Sequence, residues 1–266
     1  MFCSVHTPAP QALLYAERGA RLLLTARREA ELKSLQRECL ALGAAEAIVV
    51  AADVSNTSAI LAPLAATRRT LALLLLNHAY IPLQLVAEAA SEPNLLTFNR
   101  VIQTNFVASA QLLHESLPYL AEDARVGIVG SMGTAFFPGF LSAYVASKAA
   151  LIAFAEVYRL ELELAGRSAA SVSILYLGEI STENHMAETG ADPNNPLMIS
   201  PHVCAAGIMR ALDRRLTDAY IPWFMGPLGS SLGKLVPLRA TLFESGFLTG
   251  KPELLARVGK IRADGK

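Results

Sequence analysis

Within this chain of 266 residues, Tyr144-Val-Ala-Ser-Lys148 sets a tyrosine and a lysine one helical turn apart, on the same helix face. Ser131 lies thirteen residues before the tyrosine, at the end of an apolar run that reads as a strand, and can reach that face. A lysine ammonium beside a phenol favours the phenolate and lowers the tyrosine pKa toward working pH. The phenol can then exchange a proton with a carbinol or carbonyl oxygen while the Ser131 hydroxyl holds that oxygen. Such a relay suits hydride transfer, in which proton and hydride leave the substrate as separate species. The competing reading is a solvated helix face, and the serine at a strand end favours catalysis over it.

These three residues need a scaffold, and the sequence outlines one. Short aliphatic runs recur at Leu22-Leu23-Leu24, Ile48-Val49-Val50, Leu73 to Leu76, Val126 to Val129 and Val172 to Tyr176. Longer segments of helical spacing separate them: Arg28 to Leu42, closed by Gly43, then Leu95 to Leu120 and Ala143 to Leu164. Continuous apolar strands between helices of this length predict a doubly wound α/β domain, its parallel sheet covered on both faces. Residues 1–266 read as one such domain, with an apolar C-terminal extension from about 221 to 266. Ligands of such sheets bind beyond the carboxyl ends of the strands. Those ends carry Thr25-Ala26-Arg27-Arg28, Asp53-Val54, Asn77-His78-Ala79, Gly130-Ser131 and Gly178-Glu179, five polar stretches that together suggest a ligand rim.

Composition narrows the classes. Lys+Arg and Asp+Glu number 23 each, so the chain is neutral and offers no charge to draw nucleic acid or an anionic membrane. No apolar run reaches the eighteen or so residues of a spanning helix. The start, MFCSVHTPAP, lacks the basic and apolar regions of a secretory signal. Three scattered cysteines, Cys3, Cys39 and Cys204, argue against a disulfide scaffold or a zinc site and for a reducing compartment.

The Ser131, Tyr144 and Lys148 constellation resembles the short-chain dehydrogenase/reductase family, and the similarity runs from about Gln11 to Tyr220. The resemblance implies a Rossmann-type fold and further roles. Asn105, in Thr104-Asn105-Phe106, matches the helix asparagine that holds a water in the family's proton relay. Asn77-His78-Ala79 matches the element after the fourth strand, with His78 in place of the usual second residue. Asp53-Val54 matches the element that contacts adenine. Gly178-Glu179-Ile180-Ser181-Thr182 is similar to the segment in which Ile180 backbone meets the carboxamide and Thr182 meets phosphate, with Leu177 where proline is usual. Tyr144 and Lys148 would also touch the cofactor. Cys39 to Ala45 and Leu74 to His78 look most like the 11-beta-hydroxysteroid dehydrogenase type 1 group.

The end of the second strand has Arg27 and Arg28 and no carboxylate before Glu29. An arginine there accommodates a 2′-phosphate, so NADP(H) is the expected cofactor; the alternative is ordinary solvated charge at a helix start. One family element is missing. The glycines of the phosphate loop fall on Phe2, His6 and Pro8, where a Cβ would block the phosphates. The first strand is expected to be absent as well, which would leave its neighbours with unpaired backbone groups. The expectation is a truncated form of a complete reductase. An N-terminus that fills the gap itself is the alternative. A complete form could carry an endoplasmic reticulum anchor; as written the chain reads as cytoplasmic.

Two functions follow. The first is hydride transfer between NADP(H) and a lipophilic secondary alcohol or ketone. The second is a silent interaction partner, since the helices Leu95 to Leu120 and Ala143 to Leu164 match the family's dimer interface and could pair with a second copy or a complete paralogue. Glu179, Glu183 and His185 lack any known metal spacing, and no metal is expected. His202 and Cys204, on a probable helix, read as packing. The stretch Ile221 to Phe243 could line a lipophilic pocket, dock on a membrane surface or pack as a tail.

Overall fold

Strand and helix alternate along the chain as the hydrophobic spacing predicts. The computed structural model describes residues 2–4, 10–83, 92–136, 139–182, 186 and 198–226. The order begins β1 (Phe2–Ser4), α1 (Pro10–Ala16), β2 (Arg21–Ala26), α2 (Glu29–Ala41), β3 (Glu46–Ala51), α3 (Thr57–Thr67) and β4 (Leu71–Leu76). It continues through α4 (Glu92–Ile102), a π-helical stretch (Gln103–Val107), α5 (Ala108–Ser116), a 3-10 turn (Leu117–Tyr119) and β5 (Leu120–Val129). Then come α6 (Gly133–Phe136), α7 (Ser142–Leu164), β6 (Ser171–Leu177), α8 (Pro201–Asp213) and β7 (Asp218–Ile221). The helix expected to reach Leu120 ends at Ser116 and tightens into the 3-10 turn, because Pro118 has no N–H to continue the helical ladder.

Among the described residues seven strands pair in parallel, in the order β3-β2-β1-β4-β5-β6-β7. Successive strand residues face opposite sides, so each run feeds two cores. Leu22, Leu24, Leu73 and Leu75 pack with Leu32, Leu35 and Cys39 of α2 and with Ile208 and Leu212 of α8. Leu23, Leu74, Leu76 and Ile128 pack on the other face with Ile60 and Leu64 of α3, Leu112 of α5 and Leu151 of α7. Local signals close the helices: the Asn56 side chain accepts from Ala59 N–H ahead of α3, and Ser200 Oγ accepts from Val203 N–H ahead of α8.

The expectation of a missing first strand is corrected. Residues 2–4 occupy the central position, Phe2 opposite both Leu23 and Leu74, Cys3 opposite Leu24 and Leu75, Ser4 opposite Thr25 and Leu76. The physical reason is the one that made a gap costly: without β1, the inner edges of β2 and β4 would be buried with unpaired groups, at about 1–3 kcal/mol each. The strand is only three residues long. The absence of phosphate-loop glycines stands as a sequence fact, since the first glycine is Gly19. Phe2 lies in β1, while His6 and Pro8 lie outside the described residues, as do Glu183, His185 and residues 227–266 of the C-terminal stretch.

Candidate active site

Ser131 stands one residue beyond Gly130 at the carboxyl edge of β5, pinned there because Gly130 N–H donates to Leu175 and Met132 N–H to Leu177 of β6. Its hydroxyl accepts from Gly133 N–H at 3.0 Å, which leaves its own hydrogen to donate. Tyr144 and Lys148 occupy the first turns of α7, whose neighbouring residues Ala143, Val145 and Leu151 are buried and seat the helix. The Ser131 hydroxyl lies near enough to the Tyr144 phenol to favour its ionised form. Ser131 and Tyr144 of the constellation are thus brought together at the end of β5.

Its electrostatics differ from the expectation. Burial pushes the Tyr144 phenol above its ordinary value, and donation from Ser131 works in the opposite direction. Lys148 is not among the groups that lower it. Its ammonium, 1% exposed, donates to the Val129 carbonyl at 2.7 Å, and burial pulls its own pKa down to about 8.

Asn105 sits within the π-helical stretch and is fully buried. Such a bulge re-aims side chains, here toward the loop after β4. The Asn105 carboxamide accepts from Tyr80 N–H at 2.7 Å and donates to the Tyr80 carbonyl at 3.0 Å and to Ser147 Oγ at 3.1 Å. Ser147 Oγ donates in turn to the Tyr144 carbonyl at 2.7 Å. Asn105 thus ties the loop that carries Asn77-His78-Ala79 to the turn of α7 that carries the phenol. Ser109 Oγ donates to the Asn105 carbonyl and lies 2.9 Å from His78 Nε2. Ser147 and Ser109 were not singled out from sequence, although their spacing from Tyr144 and Asn105, three and four residues, places each beside its partner on a helix.

The remaining rim residues also gather at the carboxyl ends. Arg27 and Arg28 are exposed just past β2. Arg28 is engaged with Glu31 at 2.8 Å, the behaviour of a helix-start charge. Asp53, past β3, accepts from the N–H and hydroxyl of Ser55, while Val54 beside it is buried in the core. Asn77, His78 and Ala79 are half-buried after β4. Ile180 forms a bridge with Ile199, and Ser181 N–H donates to Ile199 while Ile199 N–H donates to Glu179, which holds Gly178 to Thr182 at the rim. Among the described residues no three potential metal ligands come together. No helix among them is long and apolar enough to cross a membrane. His202 lies on α8 and Cys204 is buried in the core there.

Residues 10–192 match the family model for short chain dehydrogenases. The chain is 32% identical over 219 residues to a hydroxysteroid 11-beta-dehydrogenase 1-like protein of Xenopus tropicalis, covering 80% of this chain and 74% of that one. A protein of the same description from Gallus gallus is 31% identical over 220 residues, with the same shares. An 11-beta-hydroxysteroid dehydrogenase-like protein of Arabidopsis thaliana is 29% identical over 212 residues, 78% of this chain and 66% of that one.

Proposed function

Because this chain belongs to the short-chain dehydrogenase family of oxidoreductases, we propose that it interconverts a secondary alcohol and a ketone with NADP(H). The observation that supports this best is the nearness of the Ser131 and Tyr144 hydroxyls at the sheet's carboxyl edge, with Lys148 one helical turn on. In this reading Tyr144 gives a proton to the carbonyl oxygen or takes one from the carbinol. Ser131 holds that oxygen, and Lys148 supplies positive charge beneath the phenol. Asn105 keeps the helix and the β4 loop in register. A carbonyl placed against the Ser131 and Tyr144 hydroxyls would be polarised by both.

A nicotinamide dinucleotide supplies the hydride acceptor or donor when bound. The residues present suit it at both ends: Arg27 and Asp53 at the adenosine side, Asn77, His78 and Ala79 in the middle, and Ile180 and Thr182 at the nicotinamide side. Arg27, exposed past β2, favours the phosphorylated cofactor. A lipophilic, steroid-like or other lipid substrate is suggested by the names of the relatives. Purified chain given NADPH and a panel of ketosteroids and long-chain ketones should consume NADPH, and Tyr144→Phe should stop it. Cofactor binding without turnover of any carbonyl in the panel would count against the reading.

A second reading keeps the fold and loses the chemistry, and the glycine-free phosphate-loop positions favour it. In that case α4, α5 and α7 would serve a partner, a second copy or a complete paralogue. Val157, Leu160 and Leu164 leave an apolar stripe exposed on α7. Leu160→Glu should dissociate a dimer in sedimentation experiments if that stripe is the interface.

A further inference from the structure

Arg100, on α4, lays its guanidinium over the ring of Tyr80, 4.8 Å from the centroid. Stacking of this kind uses the face of the group and leaves its N–H edges for an anion. Among the described residues those edges meet no carboxylate or carbonyl, and the residue is exposed. The platform beneath is fixed, because Asn105 holds both backbone groups of Tyr80. Arg27, past β2, is likewise exposed and without an ion pair among the described residues.

Both cations act on one carboxylate, that of Asp53. Arg27 and Asp53 close the ends of the neighbouring strands β2 and β3, whereas Tyr80 follows β4 on the far side of β1. Asp53 feels both. Burial raises its carboxyl, but the Ser55 bonds and the charges of Arg27 and Arg100 together bring it below its ordinary value. Two positive groups against one carboxylate leave an excess of positive charge past β3, at the adenosine side of the proposed cofactor site. Arg28, the other arginine there, is directed along α2 by Glu31.

We propose that Arg100, stacked on Tyr80, is a specificity-determining residue that joins Arg27 in a two-armed site for the 2′-phosphate of NADP(H). This rests on the cofactor reading above and deepens it. The stack pre-orders one arm of the site, so little rotamer freedom is lost when the phosphate arrives.

Calorimetric titration of the full chain with NADPH and with NADH tests the assignment. Arg100→Met removes the charge yet can keep a sulfur–ring contact with Tyr80, and circular dichroism melts check that each variant folds. Wild type should prefer NADPH. Arg100→Met should weaken NADPH by about tenfold or more, the worth of a charge-assisted hydrogen bond, and NADH by less than about twofold. Arg100→Lys should fall between. If wild type prefers NADPH but Arg100→Met leaves the ratio of the two affinities unchanged, the assignment is overturned while the cofactor reading stands. If wild type does not prefer NADPH, that reading falls and takes the assignment with it.

Discussion

Asn105 grips Tyr80, twenty-five residues away, by both its backbone N–H and its carbonyl, at 2.7 and 3.0 Å. One buried carboxamide thereby sets the position of the loop after β4 relative to α7. Asn105→Ala would leave those groups and Ser147 short of a partner. Unpaired buried polar groups cost about 1–3 kcal/mol each; allowing for relaxation, about 3 kcal/mol overall is expected. A thermal melt should fall by roughly 5–10 °C. Asn105→Asp should not rescue it, because a carboxylate can accept from Tyr80 N–H but cannot donate to its carbonyl.

In the proposed mechanism Tyr144→Phe removes the proton-transferring oxygen and leaves the ring. Turnover should drop by about 10²–10⁴-fold, the usual contribution of a positioned acid or base, with cofactor affinity nearly unchanged. Ser131→Ala should cost about 10²–10³-fold in kcat, as for loss of an oxyanion donor. Stopped-flow rates with calorimetric binding separate the two effects.

Lys148 is buried, and its folded pKa is depressed from 10.5 to about 8. Below pH 8 both folded and unfolded states carry the proton, and the folded state bears the cost of the buried charge. Between pH 8 and 10.5 the unfolded state binds more protons, so this group's contribution to stability rises with pH there. Lys148→Met should accordingly be the more stable protein at pH 7, by about 2 kcal/mol after losing the bond to Val129. The advantage should shrink as pH climbs above 8. Urea unfolding of both proteins across pH 7–9.5 measures the gap; a constant difference would contradict the assigned shift.

Cys3→Pro tests the central strand. Proline cannot donate to the ladder and is confined to edges and bulges in sheets, while β1 has a parallel neighbour on each side. The substitution should cost about 3 kcal/mol or more and cut yield of folded protein. A variant as stable as wild type would show that residues 2–4 contribute little to the sheet.

Much of this architecture is written locally. The leucine runs become β2 and β4 because a strand with both faces covered needs apolar residues at every position, and the two cores divide Leu22 and Leu24 from Leu23 as the period of two requires. Tyr144 and Lys148 share a face because the helix repeat alone puts them there. Ser131 was legible because it closes an apolar run, and Asn105 only through the resemblance of its surroundings to the family's helix asparagine.

Where the chain begins was less legible, because three residues are too few to show a period, and only the unpaired edges of β2 and β4 reveal what Phe2, Cys3 and Ser4 are for. The contacts of Lys148 with Val129, of Asn105 with Tyr80 and of Arg100 with the Tyr80 ring join residues far apart in sequence or on different elements. Strand order decides which of these meet, and burial decides their charge. The type and spacing of the candidate catalytic side chains are thus properties of the sequence by itself. Their pKa values, their partners and the completeness of the sheet belong to the tertiary structure, because desolvation and hydrogen bonding depend on neighbours that local periodicity does not name.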